Sequence, residues 1–106
     1  MTEHIPEAPV VLIARMRARA GRGRDLRAAL APLVNATRQE PGCLTYVPHQ
    51  GQDDPDLVVM HEIWQSEAHL RAHEHSPHLR EFARLATELT EGGIAIERLR
   101  RLDRLG

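Results

Sequence analysis

The sequence has no lysine, a single cysteine, and only one tryptophan, one tyrosine and one phenylalanine among its 106 residues. With Cys43 alone, an internal disulfide is ruled out, and a reducing cytoplasm is the expected compartment. The apolar stretch "VVLIA" at residues 10–14 falls far short of the ~20 residues that span a bilayer. The start, "MTEHIPEAP", is acidic and contains proline, with no basic segment leading into an apolar one, so neither export nor a membrane is expected. All 14 basic residues are arginines, and Arg15, Arg17, Arg19, Arg22, Arg24 and Arg27 crowd together, opposed locally only by Asp25. That stretch holds no aromatic to stack on a base, and the whole chain carries a net charge of -1. Nucleic acid is not an expected partner.

What is present describes one globular domain: 42% hydrophobic and 27% charged residues. Residues 1–9 read as an N-terminal extension, 10–102 as the domain and 103–106 as a tail. A strand is predicted over Val10 to Ala18, with Leu12, Ala14, Met16 and Ala18 on one face. After "AGRG", a helix from about Arg24 to Gln39 carries Leu26, Ala29, Leu30, Leu33 and Thr37 on one side. Pro32 within it predicts a kink or a restart. A second strand runs from about Leu44 to His49, "GQDDPD" turns the chain, and a third strand covers Leu57 to Trp64. Its two faces are Val58, Met60, Glu62 and Trp64 against Val59, His61 and Ile63. Ser66 caps a short helix to about His73, and Ser76 with Pro77 starts another, bearing Leu79, Phe82, Ala83, Ala86 and Leu89. "EGG" is expected to stop it, and "IAIERLRRL" to form the last strand.

The order is that of an α+β, ferredoxin-like βαββαβ fold with a four-stranded antiparallel sheet. Helices cover one sheet face only, yet the third strand is apolar on both. A symmetric homodimer is the expected cover for the second face.

"EPGCLTY", "DDPDLVVMHEIW" and "AHEHSPHLREF", in that order and spacing, resemble the landmarks of the antibiotic-biosynthesis monooxygenase domain family. The likeness spans about Val10 to Leu102 and is of the quinol monooxygenase-like kind. It implies a dimeric α+β barrel with a pocket between each protomer's sheet and its own helices. It also implies oxidation of a small phenolic or quinol-type aromatic by molecular oxygen, without metal, flavin or other cofactor. On this resemblance Trp64 and Tyr46 match the family's strand aromatics. His73 and His78 match histidines that flank "SP", with His73 as proton acceptor or anion stabiliser. Met60, standing where some characterised members place an asparagine, and Phe82 complete the expected pocket with Tyr46, Trp64 and His78. Ala14 and Ala83 occupy positions where the haem-degrading branch needs asparagine and histidine, so haem degradation is not implied. A non-catalytic small-molecule-binding dimer, or an isomerase or lyase on the same barrel, remains open as an alternative.

Five of the seven histidines lie between His61 and Phe82. His69 and His73, at i and i+4, can share one helix face toward a zinc ion, and His73 and His75 form an "HxH" pair. Neither pair has a third ligand at a recognisable spacing, so no metal is expected. His69 and His75 read as solvated. Cys43, with no nearby base, reads as inert.

Overall fold

Alternation in the first strand has a direct structural counterpart. In the computed structural model, which describes residues 8–103, β1 (Val10–Ala18) buries Val10, Leu12, Ala14, Met16 and Ala18 and exposes Arg15 and Arg17. The other elements are α1 (Gly23–Thr37), β2 (Cys43–Gln50), β3 (Leu57–Trp64), α2 (Glu67–Glu74), α3 (Pro77–Leu89) and β4 (Thr90–Leu99). The expected extension and tail lie outside the described residues, except for residues 8, 9 and 103. The sheet order is β2-β3-β1-β4 with every neighbouring pair antiparallel. This is the ferredoxin-like βαββαβ arrangement.

The helices form a single layer over the sheet. α1 buries Leu26, Leu30, Leu33, Val34 and Thr37, which leaves its arginines in solvent. Each fully buried leucine contributes about 1.5–3 kcal/mol of transfer free energy, so this stripe holds α1 to the sheet. The helix is continuous through Pro32, and no restart occurs there. The carbonyl that Pro32 cannot serve belongs to Ala28, and both residues are exposed, so water can replace the missing donor. Ser66 accepts a hydrogen bond from the His69 N–H and starts α2; Ser76 does the same with the Leu79 N–H and, with Pro77, starts α3.

Two features differ from the sequence reading. The last strand begins at Thr90, straight after α3, and ends at Leu99 instead of running through residues 94–102. "EGG" is part of it: Glu91 pairs with Arg17 and Ile94 with Met16, so Gly92 and Gly93 bulge out of the ladder. Both glycines have positive φ, 78° and 74°, which glycine alone adopts without strain. Pro48 lies in the outer strand β2, opposite Met60.

The sheet face away from the helices carries Val11, Ile13, Val59 and Ile63, all half-buried, with Val47 and Leu99 more exposed. No helix or strand among the described residues covers it. No helix is long and apolar enough to cross a membrane, again among the described residues.

Candidate functional site

Between the sheet and α2–α3 lies a cavity of about 170 Å3, with Leu12, Tyr46, Met60, Glu62, His73 and Phe82 among its lining. Ile96 and Arg98 of β4 also line it and are exposed, which marks where it reaches solvent. A larger hollow of about 820 Å3, lined by Val11, Leu44, Ile63 and Leu99, lies at one end of the outer sheet face. It contains none of the buried polar groups, so the smaller cavity is the candidate site.

The strand period places the sheet side of this cavity. Met60, Glu62 and Trp64 alternate onto the helix-facing side of β3, and Tyr46 of β2 pairs directly with Glu62. Glu62 is 5% exposed, and its Oε1 accepts a hydrogen bond from Trp64 Nε1 at 3.0 Å. The second oxygen has no protein partner among the described residues. Burial dominates the charge balance of this carboxyl and pushes its pKa up to about 7, against the pull of the Trp64 N–H. Burial, reinforced by Glu62, likewise holds the Tyr46 hydroxyl well above the usual phenol range, so it stays a neutral hydroxyl.

The opposite wall is His73, 3% exposed at the end of α2. Its ring stacks on Trp64 with centroids 4.6 Å apart, and the Tyr46 ring meets it edge-on at 5.4 Å. Its Nδ1 lies 2.7 Å from Glu40 Oε2, and His78 Nε2 lies 2.7 Å from the same oxygen. Burial lowers the His73 pKa, and Glu40 partly offsets that shift. The neutral ring therefore donates from Nδ1 to the carboxylate and leaves Nε2 as an acceptor with no protein partner among the described residues.

Local backbone explains how Glu40 reaches this spot. It sits in the turn after α1, with its N–H on the Thr37 carbonyl at 2.9 Å and its carbonyl accepting from Cys43 N–H at 3.2 Å. Gly42 follows at φ 79°, and a Cβ there would overlap the His69 ring. The Gly42 carbonyl also accepts from Gln65 N–H at 2.8 Å. The "PG" turn and α2 are thus docked on each other, which aligns His73 with Glu40. The Ser76 hydroxyl donates to the His73 carbonyl at 2.7 Å and fixes the corner between α2 and α3.

Of the residues expected from sequence, Tyr46, Met60, His73 and Phe82 line the cavity. Trp64 stands behind His73, fully buried, and His78 backs His73 through Glu40. Neither is part of the lining. His69 is only half-exposed, its Nδ1 2.7 Å from Ser66 Oγ, while His75 is exposed, with Nδ1 2.8 Å from the Arg71 carbonyl. Among the described residues, neither His69 nor His75 joins a group of three converging ligands; the ligand-type atoms that do converge, within 4.8 Å of one another, are those of Glu40, His73 and His78. Cys43 is half-buried, and burial raises its thiol pKa, so it stays protonated at neutral pH. Sequence reasoning missed both carboxylates. Glu62 carried a signal, a charge on the apolar face shared by Met60 and Trp64. Glu40 carried none, because its partners are 33 and 38 residues away.

A ferredoxin-like domain enclosing a small cavity with a buried histidine and a buried carboxyl is the class that fold and site define. A family model described as antibiotic biosynthesis monooxygenase matches residues 9–85. The chain is 33% identical over 96 residues to Rv0793 of Mycobacterium tuberculosis, provisionally named a monooxygenase, covering 91% of this chain and 94% of that one. The solved structure of Rv0793 superimposes with a TM-score of 0.84 at 31% identity, covering 93% of this chain and 100% of that one. PA3566 from Pseudomonas aeruginosa gives 0.86 at 34% identity, covering 93% and 99%. The chain belongs to the antibiotic biosynthesis monooxygenase family.

Proposed function

We propose that the protein is a cofactor-independent monooxygenase that oxidises a small phenolic or quinol-type aromatic with molecular oxygen, with His73 as the proton acceptor. The observation that carries this reading is the Glu40–His73 hydrogen bond: with Nδ1–H given to Glu40, the other ring nitrogen of this cavity-lining histidine is left as a lone-pair acceptor. Removing a proton from a hydroquinone produces an electron-rich anion able to reduce oxygen directly. The protein needs only a base, an enclosed apolar surface and a group that steadies the anion.

Size narrows the substrate. A cavity of about 150 Å3 accommodates a benzene-sized ring, and the one here measures about 170 Å3. A single substituted ring fits this space better than a fused polycycle. Met60, Phe82 and Tyr46 supply its apolar walls. Glu62, in its protonated form, donates a hydrogen bond to a ring oxygen on the sheet side, while His73 takes the proton on the helix side. Their environments push the two groups in opposite directions, the imidazole toward neutrality and the carboxyl toward the acid form. That is the assignment a base and an acid need in one site.

The second sheet face fits the same reading: its valines and isoleucines are apolar enough to seat a second copy, giving the homodimer. Light scattering at micromolar concentration should return about twice the chain mass.

Oxygen uptake with a panel of hydroquinones tests the activity. His73→Ala should lower kcat/KM by about 10^2 or more, and unchanged uptake would remove His73 from its role. Product formation without oxygen would turn the reading to an isomerase or lyase on the same scaffold.

A further inference from the structure

We propose that Glu40, His73 and His78 also form a binding site for a borderline divalent transition ion, with Zn2+ as the ion to test. The three side chains come from the α1–β2 turn, the end of α2 and the start of α3, and are 14%, 3% and 25% exposed. Two imidazole nitrogens and one carboxylate oxygen suit Zn2+, Co2+ or Ni2+ and not Mg2+ or Ca2+, which take oxygen ligands.

The geometry needs little change. Ligands of a tetrahedral ion bound at about 2.0–2.1 Å stand roughly 3.4 Å apart. Both nitrogens now lie 2.7 Å from Glu40 Oε2, and all three ligand atoms lie within 4.8 Å of one another, so no separation has to change by more than about 1.5 Å. The turn's backbone hydrogen bonds stay in place, because only side-chain torsions move. His73 is already aimed by its stack on Trp64, and Ser76 already fixes the corner that holds His73 and His78 together. Partly exposed His78 provides a path from solvent and room for water as a further ligand.

Binding has a chemical consequence for the cavity, and this consequence rests on the function proposed above, whereas the site itself does not. A neutral imidazole bound to a metal through Nδ1 carries its proton on Nε2. The cavity-facing nitrogen changes from acceptor to donor, and His73 loses its capacity to take a substrate proton. Zn2+ is then a reversible inhibitor that acts from behind the base without entering the cavity.

The test uses the full chain stripped with a chelator, titrated with Zn2+ by calorimetry and with Co2+ by visible absorption. One ion per chain is expected, with a raised Tm and the d–d bands of low-coordinate Co2+. His78→Gln and Glu40→Gln should each weaken binding at least about tenfold, while His75→Gln leaves it unchanged. His78 is partly exposed, so loss of binding in His78→Gln with an unaltered circular dichroism spectrum separates ligation from misfolding. No binding tighter than millimolar overturns the site, as does binding undiminished in both variants. In oxygen uptake, Zn2+ should inhibit the wild type, with recovery on adding chelator, and should inhibit His78→Gln only at higher concentration. Binding without inhibition of an active enzyme overturns the tautomer switch. Binding by a protein that oxidises no quinol sinks the function and leaves the metal site standing.

Discussion

Glu40 and Glu62 have the same side chain, and both lie close to the Tyr46–Trp64–His73 group, yet the fold treats them in opposite ways. Glu40, in a turn at the edge of the helix layer, receives two imidazole nitrogens on one oxygen. Glu62, in the middle of β3, receives one indole N–H and is 5% exposed at the cavity wall. Burial against a single donor drives the strand carboxyl toward the neutral acid, while the turn carboxyl gathers two imidazoles. In the proposed reaction, one directs a base, and the other supplies a hydrogen-bond donor.

The strongest way to break this contrast is Glu40→Gln. Loss of the anion behind His73 frees the ring to adopt the other tautomer, and kcat should fall by roughly 10^2–10^4 with KM little changed. A change confined to KM would show that Glu40 only shapes the pocket. Next comes Glu62→Gln, read in stability against pH. The folded pKa of about 7 lies above the ordinary 4.5, so the group's contribution is complete below about 4.5 and is lost as pH rises through 7. The amide avoids that loss while still accepting from Trp64. Relative to wild type, Glu62→Gln should therefore gain up to about 3 kcal/mol in unfolding free energy between pH 4 and pH 8. Parallel curves from urea titrations would mean that the Glu62 pKa is the same in the folded and unfolded chains. The same variant should flatten any alkaline fall in quinol oxidation near pH 7.

A smaller effect sharpens the turn side of the comparison. Gly42→Ala combines a positive φ with overlap on His69, and should cost about 2 kcal/mol of stability by thermal or chemical unfolding. Since the same turn presents Glu40, the surviving folded protein should also lose activity. A stable, fully active Gly42→Ala would show that α2 does not depend on this docking. The smallest effect is expected from His75→Ala, within about 0.5 kcal/mol of wild type, because the ring is exposed and bonds only its own helix.

The parts of this design legible in the sequence are those with local causes. β3 is bounded by turn residues and carries a two-residue period. Ser66 and Ser76 are capping side chains one turn ahead of the groups they serve, and Ser76-Pro77 adds a fixed φ. His73 was within reach because α2 could be placed over the sheet. The glycine pair in β4 reads as a stop because glycine usually ends a helix; that it bulges depends on pairing with Arg17 and Met16, some 75 residues earlier. Glu40 is hidden for the same reason. Nothing near it in the chain shows that two histidines from another corner will close on one of its oxygens.

The two borders of the sheet bear on how the molecule meets others of its kind. Strand β2 carries Pro48, which has no N–H to offer, and β4 is bent by the Gly92–Gly93 bulge. Both edges are poor templates for a further strand, so the sheet resists lengthening by edge-to-edge pairing and the fibre-like growth that follows from it. Its open apolar side offers a broad surface, hollowed at one end. The proposed homodimer, a closed pair joined face against face, avoids both edges and any open-ended stack.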